Sequence, residues 1–285
     1  MVFAFLPTAL VFFLAMFFFG AGIALLLGSS LFGAIAGLAA MLLSLAAELI
    51  AIKGSHKLYV ASMNLLPVDY DKWLARQEKI AARSVGMKRL FVYCNILFGA
   101  LSYEKAETAQ EYLEILQPYA EKKKSPMAAF HFYGGMLSLR EKLQDLSQAD
   151  YLLAKMYEAL NNPKFPGGGI QLMYVRRFEA ARLEVEFYKR TPEELRTADR
   201  VIAEQMIASS RASQPLDGDI SRSVGYRMLA GYYNAGLSCA VLGRQQEADA
   251  YFGRIAQSEC RYPLVDRVRQ YLEKRELSVL YAVIP

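Results

Sequence analysis

Few residues in this sequence combine a reactive type with a spacing that could do chemistry. There are two histidines, His56 and His131, and three cysteines, Cys94, Cys239 and Cys260, widely spaced and without a C-x-x-C pair. An odd, scattered set of thiols makes neither a disulfide framework nor a zinc site, and it fits a reducing compartment. Such thiols read most simply as buried small apolar residues. His131 lies among Phe130, Phe132 and Tyr133, where a packed or groove-lining imidazole accounts for it better than a general base does. Gly167-Gly168-Gly169 could cradle a phosphate, but no strand precedes it and no Lys-Ser/Thr follows. With Pro163-Lys164-Phe165-Pro166 before it, the run reads as a flexible loop between helical units. No G-x-S-x-G, H-E-x-x-H, P-loop or dinucleotide fingerprint occurs. The expectation is therefore no catalytic residue, no metal ligand and no cofactor. One carboxylate stands apart. Glu48 falls inside a long apolar run, and an ionisable group within a membrane is by default a functional candidate; it also sits about one turn from Lys53, near enough to the interface to snorkel or pair.

That apolar run sets the organisation of the N-terminal part. The chain has 285 residues, 54% of them hydrophobic, yet no charged side chain precedes Glu48. A continuous apolar stretch of 18 or more residues reads as a transmembrane helix, and this one is about twice as long as a single span requires. Gly28-Ser29-Ser30 is the best break, giving a hairpin within residues 1–53 with spans of about 2–27 and 31–52. Both must be helical to satisfy their backbone groups in lipid. Gly33, Ala36, Gly37 and Ala40 place small residues where a neighbouring helix could approach closely, although membrane helices are enriched in glycine and alanine generally. A cleaved signal peptide would need a basic start and a short apolar core, and the chain has neither. Between Lys53 and Leu90 there are eight Lys or Arg and three Asp or Glu, so the positive-inside rule leaves the region beyond the hairpin in the cytoplasm of a two-span cell-membrane protein. The net charge of +5 is interspersed along the chain and gives no nucleic-acid footprint.

Beyond Lys53 apolar residues recur every three or four positions, and proline and glycine punctuate segments of helical length. The expected fold class is all-α. The clearest unit near the C-terminus runs Tyr233-Asn234-Ala235-Gly236-Leu237, then Leu242-Gly243-Arg244, then Glu247-Ala248-Asp249-Ala250-Tyr251-Phe252. This resembles the tetratricopeptide repeat (TPR), a helix–turn–helix family with a period of about 34 residues. Gly236 matches the small residue where the two helices meet, Ala248 the small residue of the second helix, and Phe252 the aromatic one turn beyond it. Cys260 stands where the family usually has proline. Earlier units match more loosely. Tyr70-Asp71-Lys72-Trp73 and Tyr103-Glu104-Lys105-Ala106 begin second helices 33 residues apart, with Trp73 in place of a small residue. The segment Phe130–Leu160 turns near Gln144-Asp145, and Thr191-Pro192-Glu193-Glu194 opens a helix carrying Ala198 and Ile202. The resemblance thus implies two transmembrane helices followed by an α-solenoid of TPR-like pairs, in a protein of bacterial type. Residues 54–84 form juxtamembrane helices and an irregular first repeat, 85–277 the repeat domain, and 278–285 an apolar tail that could pack on the array or dock on a partner.

First helices of such arrays line a concave groove that binds a peptide or a partner helix. The resemblance places Asn95 and Asn234 where some peptide-binding relatives hold a ligand backbone, with Tyr233 and His131 on the same kind of helix. The lysine and arginine with which those relatives clamp a terminal carboxylate have no counterpart here. The resemblance implies two functions. One is a membrane-anchored interaction scaffold or adaptor whose partner is a protein or peptide, itself membrane-associated. The other is an accessory or regulatory subunit of a membrane complex for transport, secretion or envelope synthesis, bound through the hairpin. Neither is an enzyme.

Overall fold

A computed structural model describes residues 65–121, 125–213 and 226–281, together with the isolated helical positions Phe19, Ile23 and Leu42. The expected spans 2–27 and 31–52 otherwise lie outside the described residues, as does Glu48. Among the described residues no helix is long and apolar enough to cross a membrane. These residues form an all-α structure with no strand. In chain order the helices are α1 (Tyr70–Ala82), α2 (Met87–Ser102), α3 (Ala106–Glu121), α4 (Pro126–Lys142), α5 (Ala149–Leu160), α6 (Gly169–Tyr188), α7 (Pro192–Arg196), α8 (Arg200–Ser213), α9 (Tyr226–Val241), α10 (Gln245–Ala256) and α11 (Pro263–Lys274), with a 3-10 turn, Leu277–Tyr281, after the last of them.

The chain divides into two compact units, with residues 1–65 and 71–92 in the first and 66–70 and 93–285 in the second. In the first unit Trp73 is fully buried on α1. The link to α2 is built from local bonds: the Ser84 hydroxyl donates to Ile80 O at 2.6 Å, and Arg89 Nε donates to Ser84 O at 2.6 Å. Gly86 supplies the left-handed backbone (φ 58°) that starts α2.

In the second unit the helices pack in adjacent pairs, α3 on α4, α4 on α5, α8 on α9, α9 on α10 and α10 on α11, as a helical repeat requires. The pair α9–α10 is closely packed. Gly243 takes φ 75° in the turn between them, and a Cβ built on Gly236 would stand 2.6 Å from the Phe252 ring. Only glycine leaves room for the ring there. Gly135 does the same for α4, where a Cβ would lie 2.5 Å from a Leu97 methyl group.

Two local expectations are altered. The Thr191 start signal forms a complete capping box, with Glu194 N donating to the Thr191 hydroxyl and Thr191 N donating to the Glu194 carboxylate at 2.7 Å. The helix it opens nevertheless stops at Arg196. The Thr197 hydroxyl turns back to donate to Glu193 O at 2.9 Å, and Asp199 is drawn to Arg190 Nε at 3.2 Å, which bends the chain before α8 begins. Ala198 is exposed at this bend, and the small residue buried on α8 is Ala203. The loop around Pro163–Gly169 is also pinned. Phe165 is buried with its ring 5.1 Å from that of Tyr174, and Asn162 accepts from Lys164 N through its side chain and from Phe165 N through its carbonyl. The three glycines beyond it face open space.

The beginning and end of the second unit meet. Arg261 N donates to Pro67 O at 2.8 Å, and the Tyr103 hydroxyl donates to Leu66 O at 2.5 Å. Tyr103 stacks between Tyr70 and Tyr262, with ring centroids 4.9 Å apart in both cases.

Candidate functional site

The meeting of the two ends brings charged and phenolic side chains from five separate places together. Glu104, held at φ 57° between α2 and α3, faces Arg267 of α11 and Lys142 at the end of α4. Arg267 grips the carboxylate with both terminal nitrogens, Nη1 at 2.7 Å from Oε2, and Lys142 Nζ adds a bond of 3.3 Å. Side-chain exposure is only 12% for Glu104 and 17% for Arg267, so this pair is largely removed from water. Burial alone would raise the Glu104 pKa. The hydrogen bonds from Arg267 and the charge of Lys142 outweigh it and hold the carboxyl below the usual range.

A second carboxylate pair has no such guanidinium. Glu141 on α4 and Glu184 on α6 share the site with Lys142. Glu184 accepts from Asn234 Nδ2 at 2.7 Å, whereas Glu141 Oε1 is shut off from solvent and has no hydrogen-bond donor. Burial pushes Glu141 well above the ordinary carboxylate range, and the neighbouring Glu184 charge adds to the effect. Burial likewise raises Glu184, against the opposing bond from Asn234. Tyr188 lies one helical turn beyond Glu184, and burial pushes its phenol far up as well. Tyr233 of α9 is buried; its hydroxyl donates to Leu280 O, and burial raises its pKa in spite of the adjacent Arg267.

Glu141 carries a pH dependence whose sign is set by its raised pKa. In the unfolded chain it ionises near about pH 4.3. Folded, it keeps its proton to higher pH, so stability falls as pH rises from about 4.3 to the raised folded value and then levels. The Glu141→Gln variant, neutral at every pH, is expected to lose this downward slope, so that its stability relative to the wild type rises between pH 4 and pH 8. Urea unfolding from pH 4 to pH 8 measures it, and equal slopes in the two proteins would remove Glu141 from this role.

The residues read from the sequence distribute unequally around this site. Tyr233 and Asn234 are part of it, bonded respectively to the C-terminal turn and to Glu184. His131 lies elsewhere on α4, buried, with Nε2 2.7 Å from the Tyr174 hydroxyl and its ring edge-on to Phe98 at 5.5 Å. Asn95 is half-buried on α2. The three cysteines are buried, and burial pushes the Cys94 thiol up to about 12 and the Cys239 thiol up to about 11, as expected of inert apolar packing. Sequence reasoning misses Glu104, Glu141, Lys142, Glu184 and Arg267. Arg140-Glu141-Lys142 and Arg182-Leu183-Glu184-Val185-Glu186 read as ordinary solvated charge, and no local signal links them.

No family model, curated protein or solved structure matches this chain. What the arrangement can do is therefore judged on its own chemistry. Among the described residues no group of three His, Cys, Asp or Glu side chains is placed to hold a metal ion. Two hydrogen bonds at the edge of the cluster go to main chain. Tyr233 bonds Leu280 O, and Gln144 Nε2, just beyond α4, donates to Tyr281 O at 2.6 Å. Side chains from two helical units thus hold consecutive carbonyls of a short segment.

Proposed function

We propose that this chain is a membrane-anchored interaction scaffold, in which a TPR-like array on a transmembrane hairpin presents an inner face to a protein or peptide partner at the cytoplasmic side of the cell membrane. The observation that carries the reading is the grip of Tyr233 and Gln144 on the carbonyls of Leu280 and Tyr281, because it is how a groove holds a peptide irrespective of its sequence. The charge-free run before Glu48 supports the anchor, and Gly236 against Phe252 supports the TPR-like pairing. Confinement to a membrane raises the effective concentration of such an array for membrane-bound partners. The buried carboxylates hold the array together in this reading, Glu104 being neutralised by Arg267 and Glu184 held by Asn234.

A second reading, an accessory subunit of a membrane complex, is favoured by the close-approach face Gly33, Ala36, Gly37 and Ala40. Exchange of residues 2–52 for an unrelated hairpin separates the two. The scaffold keeps its partner after the exchange, and the accessory subunit loses it.

A further inference from the structure

The C-terminal turn Leu277–Tyr281 lies against α9 and α11. It is fastened by side chains rather than by a backbone ladder. Tyr233 of α9 and Gln144 beyond α4 hold the carbonyls of Leu280 and Tyr281, Leu280 is buried, and the Tyr281 ring meets Tyr188 of α6 edge-on at 6.3 Å. Arg275, which caps α11, is in the left-handed conformation (φ 60°), so the turn joins the array through a discrete bend. The turn itself is a short 3-10 segment, whose hydrogen-bond geometry is weaker than that of an α-helix.

The fit of this segment is incomplete. The Tyr281 hydroxyl is shut off from solvent and has no hydrogen-bond partner. A buried hydroxyl without a partner weakens the contact that carries it. Phenylalanine in the same place would fill the aromatic position without that defect.

We infer that Leu277–Tyr281 is a tethered occupant of a docking site, and that the partner for this site is a short segment with an apolar residue directly before an aromatic one, phenylalanine fitting better than tyrosine. The inference rests on the inner face being a binding surface, and it names what that surface takes. Tethering supplies the tail at an effective concentration of about millimolar, so an external segment must outcompete it. Its apparent affinity is reduced by the fraction of time the site stands open.

The test uses the full-length chain purified in mild detergent and a fluorescent peptide of residues 276–281 with both ends blocked. Leu280→Asp, which expels the turn without shortening the chain, is expected to bind the peptide at least about tenfold more tightly than the wild type. A peptide carrying Tyr281→Phe is expected to bind at least about fivefold more tightly still. Adding Tyr233→Phe to the Leu280→Asp chain is expected to weaken binding several-fold. A Leu280→Asp chain that keeps its helical circular dichroism yet binds no peptide overturns the inference. So does loss of folding both in that variant and in a chain ending at Arg275, because the turn is then an integral cap. The probe is the chain's own segment, so its failure is separable from a failure to recover a partner.

Discussion

Replacing Arg267 by methionine is expected to lower the unfolding free energy by about 3–5 kcal/mol, the range for a buried ion pair that loses one partner. The reason is geometric. Glu104 sits with 12% of its side chain exposed and takes two of its bonds from Arg267. Without the guanidinium only Lys142 remains, and burial then acts on a poorly compensated carboxylate. Replacing both partners, as Glu104→Gln with Arg267→Met, is expected to recover most of the loss, since the uncompensated charge is gone. Urea unfolding of the two single variants and the double variant measures the coupling. A purely additive result would mean that the pair does not hold the two ends of the unit together. The pH dependence has a definite sign. Glu104 has a depressed pKa, so its stabilisation is present above about pH 4.3 and is lost as pH falls through the lower folded value. In Arg267→Met this acid-side loss should shrink.

Truncating Phe252 to alanine is expected to cost about 3–5 kcal/mol, because a fully buried ring leaves a cavity between α9 and α10. Its partner change is more telling. Gly236→Ala alone should cost about 1–3 kcal/mol, since the new methyl group would lie 2.6 Å from a ring that also packs 5.0 Å from Tyr271 and has nowhere to move. In the Phe252→Ala background the obstruction disappears, and Gly236→Ala should stabilise by about 0.5–1 kcal/mol through helix propensity alone. A substitution that changes sign with its neighbour identifies the glycine as a contact requirement. If Gly236→Ala had the same effect in both backgrounds, the ring would not be what excludes a side chain there.

These sites differ in how far the sequence discloses them, and the difference is one of range. Gly236 and Phe252 lie 16 residues apart within a single helix pair, so the small residue and the aromatic announce each other in the sequence. The capping box at Thr191 is equally local. The stop at Arg196 is local too, but it rests on Asp199 being drawn to Arg190, a side-chain pairing that no start or stop signal announces. The buried charge cluster is the extreme case. Glu104 and Arg267 are separated by 163 positions, and Asn234 and Glu184 by 50. Glu104, Glu184 and Arg267 look like ordinary surface charge until the ends of the unit come together. Resemblance to a groove reaches Tyr233 and Asn234, whereas the carboxylates they adjoin carry no such mark. Resemblance also places Asn95 and His131 with them, and the fold keeps His131 in a separate aromatic packing site with Tyr174.

The central claim is that the inner face of the array is a binding surface for a partner at the membrane. Its most direct test is purification of the full-length protein at natural abundance in mild detergent, beside a variant carrying Asn234→Ala, with co-purifying proteins identified by mass spectrometry. The account expects a stoichiometric partner with the wild type and a substantial loss of it with the variant, with helical circular dichroism retained in both. Recovery of a lone monomer from the wild type, or equal recovery of the partner from both proteins, would contradict it.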